Sequence, residues 1–328
     1  MKLTRFLTLL LAVLIVPSYT DLAAADTFGS GANSFDIEFV GIGNPGNAAD
    51  STGDPNPAGS VAYAYNMGKF EVSRDMVTKA NSAGGLGITL ADMTALGGNG
   101  VNRPATGVTW NESARFVNWL NTIQGFQPAY KFSTQPGGGG YEVNQNISLW
   151  VSGDAGFNAA NPFRNSQAHY FLPSVDEWYK AAYYDPTNSV YYNYPTGSDS
   201  APTAVASGTL TGTAVFGQPS SQGPADITQA GGLSPYGIMG MGGNVYEWEE
   251  TEFDLVNNSS SSARGVRGGN WFGFSDDLLS SFRNSVRPMG ELYFIGFRVA
   301  SIPEPSTLVL LGMGIVGALG LLLRRRAR

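Results

Sequence analysis

Cysteine is absent from the 328 residues, and histidine occurs once, as His169. Without a thiol the chain has no thiolate nucleophile, no cysteine metal ligand and no redox pair. An exported domain of this composition must rely on its core rather than on disulfide staples. With one imidazole, a two-histidine-one-carboxylate iron site cannot be assembled within one chain. A hydrolytic relay would have to use His169, yet no serine stands in a G-x-S-x-G elbow and no Ser-x-x-Lys occurs. The ordinary reading is a hydrogen-bonded histidine beside a strand at Tyr170-Phe171-Leu172. Basic residues are also scarce, and long apolar runs are confined to the two ends.

At the start, Lys2 and Arg5 precede an apolar run from Phe6 to Val16, followed by Ala23-Ala24-Ala25. A basic segment, a short apolar segment and small residues before the cut describe a secretory signal peptide (residues 1–25), with cleavage expected after Ala25. The run is short for a hydrocarbon core of about 30 Å. At the other end, Pro303-Glu304-Pro305 is followed by an apolar stretch, Leu308 to Leu323, and then by Arg324, Arg325 and Arg326. A transmembrane helix is expected at about residues 306–323, with the arginines as a cytoplasmic stop. The three parts in this order resemble the PEP-CTERM sorting signal. That resemblance implies a membrane-embedded sorting protease (exosortase) as partner, processing near Pro303, Glu304 and Pro305, and delivery to the cell surface or extracellular matrix. A plain C-terminal anchor is the alternative, and either places residues 26–302 outside the cytoplasm.

One acidic and two basic residues precede Asp26, and one acidic and four basic residues follow Ile302. The remaining 24 acidic and 13 basic side chains give the ectodomain a formal charge of −11. Such a surface repels polyphosphate backbones, so nucleic acid is not an expected partner. It is compatible with divalent cations and with neutral or amine-bearing glycans. With 6 Trp, 15 Tyr and 18 Phe, burial of large rings must supply much of the stability.

Phe35 to Val40 alternates apolar and acidic residues, as a half-buried strand does. Further strands are expected at Val61–Tyr65 and Lys69–Val72. Thr109-Trp110-Asn111-Glu112 and Ser174-Val175-Asp176-Glu177 both have capping-box spacing. They start two helices, the first with Ala114, Phe116, Val117 and Leu120 on an apolar face and Gly125 as stop. The second ends near Asp185-Pro186. Tyr191 to Gly232 is rich in Gly, Ser, Thr and Pro, and reads as ordered loops with short strands. The class is α+β, irregular, with low secondary-structure content and no internal repeat.

Gly41-Ile42-Gly43-Asn44-Pro45-Gly46 matches G-x-G-x-x-G, but Pro45 and a polar segment stand where a dinucleotide fold needs a helix. It is read as a turn. Asp176/Glu177 and Glu249/Glu250 are paired carboxylates, but neighbours in sequence rarely face one another, and the glycosidase spacing is not readable from sequence.

Six blocks occur in one order. Gly68-Lys69-Phe70-Glu71-Val72 is similar to "GKYEVT". Gly107-Val108-Thr109-Trp110 with Phe116-Val117-Asn118-Trp119-Leu120 is similar to "GVSW…YCNWL". Phe171-Leu172-Pro173-Ser174-Val175-Asp176-Glu177-Trp178 is similar to "RLPTEAEWE", and Gly243-Asn244-Val245-Tyr246-Glu247-Trp248 to "GNVWEW". Arg267-Gly268-Gly269-Asn270-Trp271 is similar to "RGGSW", and Gly296-Phe297-Arg298-Val299 to "GFRV". Together they resemble the formylglycine-generating enzyme (sulfatase-modifying factor) family, across roughly residues 40 to 300. The resemblance implies a C-type-lectin-like fold. It also implies two catalytic cysteines a few residues after the fifth block, where this chain has Gly273 and Leu278. The family's copper-dependent thiol oxidation therefore does not carry over.

The resemblance further implies structural calcium at the fourth block, held by Glu247 and by the carbonyls of Gly243 and Val245. The upstream side-chain ligand falls on Gly240, which has none. A hard cation takes six to eight oxygens, so water would complete the shell. Otherwise Glu247 caps loop amides and Trp248 fills the core. Arg283, Arg287 and Arg298 stand near the family's closing arginines, as a substrate groove or as ion-pair partners of the many carboxylates. Three functions remain open. The first is a non-catalytic surface protein binding a glycan such as extracellular polysaccharide, with the exposed rings among Tyr183, Tyr184, Tyr191, Tyr192 and Tyr194 stacking on the sugar and the others in the core. The second is a carboxylate-based enzyme with groups converging around Trp271 to Asp277. The third is an envelope protein with no specific ligand.

Overall fold

The computed structural model describes residues 24–135, 138–140 and 147–303. The signal peptide before Ala24, and the expected span and arginine tail, lie outside the described residues. Among the described residues no helix is long and apolar enough to cross a membrane.

The strands in chain order are β1 (Ala24–Phe28), β2 (Phe35–Ile42), β3 (Tyr65–Gly68), β4 (Tyr170–Phe171), β5 (Tyr184–Asp185), β6 (Val190–Tyr191), β7 (Thr203–Ala204) and β8 (Thr213–Ala214). They continue with β9 (Tyr246–Glu252), β10 (Arg264–Arg267), β11 (Asn284–Val286), β12 (Ile295–Gly296) and β13 (Ala300–Ser301). The helices are α1 (Arg74–Gly84), α2 (Trp110–Ile123) and α3 (Val175–Tyr183). One sheet has the order β1-β2-β3-β13-β4, so the last described strand closes against the first ones. A second has the order β11-β10-β9-β12, with β12 parallel to β9 and the other pairs antiparallel.

β2 is half-buried as its alternation requires, with Phe35, Ile37 and Phe39 inward and Asp36 and Glu38 exposed. It pairs with β1 from Ala24↔Phe39 to Phe28↔Phe35. Cleavage after Ala25 would leave Asp26 to Phe28 of that strand, and the Asp26 carboxylate accepts the Tyr170 hydroxyl at 2.8 Å.

The strands expected at 61–65 and 69–72 are replaced by the single strand β3 between them, and α1 was not foreseen. The reason lies in pairing. Tyr65 to Gly68 is the stretch that meets β2 and β13, while Ser73 caps α1 by accepting from the Met76 amide at 3.2 Å. Both expected capping boxes form. Thr109 Oγ1 accepts from the Glu112 amide at 3.0 Å and Glu112 returns to the Thr109 amide at 2.8 Å. Ser174 and Glu177 do the same at 3.3 and 2.7 Å.

An amphipathic α2 is corrected: every residue from Trp110 to Asn121 is buried. Its polar side serves the loops around it. Asn118 accepts from the Tyr130 amide and donates to its carbonyl, at 2.8 and 2.7 Å. Asn121 accepts from the amides of His169 and Tyr170 and donates to the Tyr170 carbonyl. In a fold with little regular structure, buried backbone groups need side-chain partners of this kind. His169 stacks on Phe126 with ring centres 4.5 Å apart, beside β4 as the sequence suggested.

Trp110, Trp178, Trp248 and Trp271 are fully buried. Each indole N–H donates to an internal acceptor: the Glu249 carbonyl, Glu247 Oε2, the Val108 carbonyl and the Ser220 carbonyl, all within 3.1 Å. Such rings bury large areas without leaving a polar atom unpaired.

Candidate functional site

β9 reads Tyr-Glu-Trp-Glu-Glu-Thr-Glu, and all seven residues are buried. Burying ionised carboxylates is costly unless each has a cation and hydrogen bonds, and the fold brings an arginine to each glutamate. Glu247 is gripped by Arg298 through both oxygens, with Nε 2.6 Å from Oε2. Glu249 lies between Arg267 and Arg283, at 2.7 and 2.8 Å. Glu250 shares Arg164 with Glu177, at 2.7 and 2.8 Å. Glu252 has Arg264 at 3.9 Å. Arg283 and Arg298 are thus structural ion-pair partners, and Arg287 is an exposed residue of the next segment.

The calcium expectation rested on Glu247, Gly243 and Val245. Both Glu247 oxygens are taken by Arg298, and one also accepts from Trp178 at 2.7 Å. Calcium would have to displace a fully buried guanidinium. A Cβ at Gly240 would stand 3.1 Å from the carboxyl carbon of Glu71, so the space of the missing upstream ligand is filled by another acid. The Glu71 carboxylate accepts from Asn244 Nδ2 at 2.8 Å. Burial, reinforced by Glu247, pushes its carboxyl well above the usual range, while Arg298 and the hydrogen bonds oppose. These residues do not fit a calcium shell.

The fourth and fifth blocks interlock at one end of β9 and β10. Asn244 has φ 60°, donates to Glu71, and accepts the Ala225 amide on its side chain and the Trp271 amide on its carbonyl. Gly268 and Gly269 turn with φ of 92° and 77°, and a Cβ at Gly269 would meet Leu278 Cδ1 at 2.8 Å. Gly273, the position where the resemblance leads one to expect the first family cysteine, follows in the next turn. A Cβ there would lie 2.5 Å from Asp277 Oδ2. That carboxylate accepts the Phe274 amide at 3.0 Å and interacts with the Tyr246 hydroxyl. The second position, Leu278, is fully buried among Tyr194, Ala214 and Phe216. Copper held by two thiolates does not fit this donor set.

The surface beside Trp271 is aromatic. Phe272 stacks on Tyr293 with centres 6.0 Å apart and planes 24° from parallel. Both pack against buried Trp271. Phe274 is 77 % exposed and Tyr293 is 37 % exposed. Asp276 and Asp277 lie in the same short turn, and no facing carboxylate pair forms there among the described residues. Of the five tyrosines among which stacking rings were expected, Tyr183, Tyr184 and Tyr194 are core, and Tyr191 and Tyr192 are partly buried. The Tyr191 hydroxyl donates to the Gly59 carbonyl at 2.7 Å. Tyr183 and Tyr191 pack on Tyr179, and Tyr191 also on Tyr184, because α3 and the β5–β6 pair bring these rings together, while Tyr194 packs with Leu278.

A C-type-lectin-like α+β scaffold with these six interlocked blocks defines the class. The chain belongs to the family of sulfatase-modifying factor enzyme 1-like domains, whose profile matches residues 42–302, and it lacks that family's catalytic cysteines. The PEP-CTERM protein-sorting motif matches residues 301–326, which makes this an exported, surface-sorted member and an exosortase substrate.

Among solved structures the chain is similar to Treponema denticola variable protein 1, with TM-score 0.56 and 18 % identity over 86 % of this chain and 100 % of that one. It is also similar to CarF, with TM-score 0.55 and 18 % identity over 82 % and 99 %. Both likenesses concern the fold. Among curated proteins it is 33 % identical over 146 residues to hercynine oxygenase of Mycolicibacterium thermoresistibile, and 30 % identical to that of Mycolicibacterium smegmatis. The match spans 39 % of this chain and about a third of those relatives, 31 % and 32 %.

Proposed function

We propose that the exported domain is a non-catalytic binding module whose ligand is an extracellular glycan, held on the aromatic face of Phe272, Phe274 and Tyr293. The observation that carries this reading is the replacement at the thiol positions. Gly273 and Leu278 leave no nucleophile or soft metal ligand, and the neighbouring residues Phe272, Phe274 and Tyr293 present aromatic rings beside Trp271. Sugar faces are apolar on one side, and stacked rings bury that side while the hydroxyls stay wet. Amphipathic rings at low entropy cost are common in recognition surfaces.

The test is binding of the purified full chain to the host's own polysaccharide, with Phe274→Ala and Tyr293→Ala as variants. Saturable binding that weakens by roughly tenfold in each variant, at unchanged thermal stability, supports the reading. Absence of binding by the parent protein would leave an envelope protein with no specific glycan. The hercynine oxygenase relatives favour an enzyme by their name alone, and turnover of a small substrate by the full chain is the measurement that would establish one.

A further inference from the structure

A cleft of about 360 Å³ opens at the other end of β9, beyond Thr251. The antiparallel register separates it from the aromatic face: Arg267 pairs with Glu247 next to the thiol positions, whereas Arg264 pairs with Glu252 near the cleft. Its walls carry Asp176 from the first turn of α3, Thr251 from β9, and the amides Asn158, Asn161 and Asn257, with the half-exposed ring of Tyr63. Asn161 Nδ2 is held by Glu250 and Thr251 Oγ1 accepts the Val175 amide, while Asn158 and Asn257 use their oxygens on backbone amides and keep Nδ2 for a ligand. Such amide donors on a concavity suit a ligand rich in hydroxyl groups.

The charge balance narrows the ligand. Arg164, at the back of the cleft, is saturated by Glu177 and Glu250, each within 2.8 Å. Asp176 is the acid left over. Its Oδ1 accepts the Gly59 amide at 2.7 Å, and it has no ion-pair partner among the described residues. Burial pushes its carboxyl up, and the charges of Glu249 and Glu177 add to that against the Gly59 hydrogen bond and Arg267. A cation delivered beside it would relieve that cost.

The rim is strained as well. Leu255 and Asn257, both on the wall, hold φ of 68° and 55°. A branched side chain in the left-handed region is disfavoured and clusters at ligand clamps. It is held here by the Leu255 amide on the Glu252 carbonyl and by the Glu252 amide on Asn257 Oδ1.

We infer that this cleft binds an amine-bearing sugar unit, its ammonium against Asp176 and its hydroxyls on the surrounding amides. A lysine side chain would use the carboxylate but leave the amides idle, which is why the sugar is favoured. The site is independent of the aromatic face and stands whether or not that face binds a glycan.

The experiment is titration calorimetry of the full chain, near neutral pH, with a glucosamine tetramer, its fully N-acetylated counterpart and a lysine tetrapeptide. The expected result is saturable binding of the glucosamine tetramer, weakened by about tenfold or more by Asp176→Asn and by Asn158→Ala, with the acetylated tetramer weaker by a similar factor. Asn keeps the acceptor for Gly59, and a thermal unfolding curve on each variant separates lost binding from lost folding. Phe274→Ala leaves this binding unchanged. No binding of the glucosamine tetramer, or equal binding by a folded Asp176→Asn protein, overturns the inference. Equal affinity for the lysine peptide overturns the sugar in favour of a basic protein segment.

Discussion

Asp277 occupies the room that a side chain at residue 273 would need. Its Oδ2 lies 2.5 Å from the point where a Cβ on Gly273 would stand, and it is fixed there by the Phe274 amide. The room beside residue 273 is thus taken by a side-chain oxygen that hydrogen-bonds the adjoining backbone. Gly273→Ala is expected to destabilise the protein by about 1–3 kcal/mol through overpacking. Combining it with Asp277→Ala should cost less than the sum of the two single changes, because the clash is removed. Denaturant unfolding of the three variants measures this, and strict additivity would refute the shared space.

Glu247 and Arg298 form a fully buried pair. Arg298→Met leaves an uncompensated carboxylate and should cost about 3–5 kcal/mol. Since the same oxygens cannot also serve a cation, calcium or a chelator should leave the melting temperature of the parent protein unchanged. A calcium-dependent rise that Glu247→Gln abolishes would place the metal at Glu247 after all.

The buried pairs on β9 are not equivalent. Glu249 accepts from two arginines whose Nη1 groups reach the carbonyls of Phe282 and Phe253. Glu249→Gln exposes Arg267 and Arg283 to each other and should lose about 3–5 kcal/mol. Arg264 differs: its guanidinium lies over Trp110 and Phe163, at 4.5 and 3.9 Å from the ring centres, and donates no hydrogen bond to a described residue. Burial pulls its pKa down to about 10. The double change Arg264→Met with Glu252→Gln should be within about 1 kcal/mol of the parent, or more stable. Chemical denaturation distinguishes the two outcomes.

Asp176 supplies a pH signature. Its folded carboxyl lies above the ordinary value, so folding disfavours the ionised form. The stability linked to it is full below the unfolded carboxylate range and declines as pH rises through the raised folded value. Asp176→Asn should therefore melt higher than the parent near about pH 7 and match it near about pH 3, below the ordinary aspartate value. Coincident melting curves at both pH values would remove the cost assigned to this carboxylate.

Much of the frame was legible from residues alone. The alternation of β2 and the capping boxes of α2 and α3 are local signals, and local hydrogen bonds honour them. α1 is as amphipathic in sequence as α2 but was missed because its capping box is closed by Met76 instead of a glutamate, and β3 because long-range pairing with β2 and β13 sets its bounds. The segment Tyr246 to Glu252 was the hardest to read. Four glutamates in seven residues suggest solvent, and nothing in the local pattern announces five arginines arriving from residues 164, 264, 267, 283 and 298. The closing arginines were the available clue, since a deficit of basic residues makes each one a candidate partner.

The sequence by itself determined the exported, surface-sorted design, the family scaffold and the absence of thiol chemistry, because signals, ordered blocks and missing residue types need no coordinates. Only the tertiary structure decided what stands in the thiol space, which tyrosines are core, where Glu247 spends its charge, and that a polar cleft opens beside Asp176. Asp277 lies only four residues from Gly273, but the other outcomes depend on contacts between residues tens to hundreds of positions apart, and burial and Coulomb energy are set by such neighbours rather than by position along the chain.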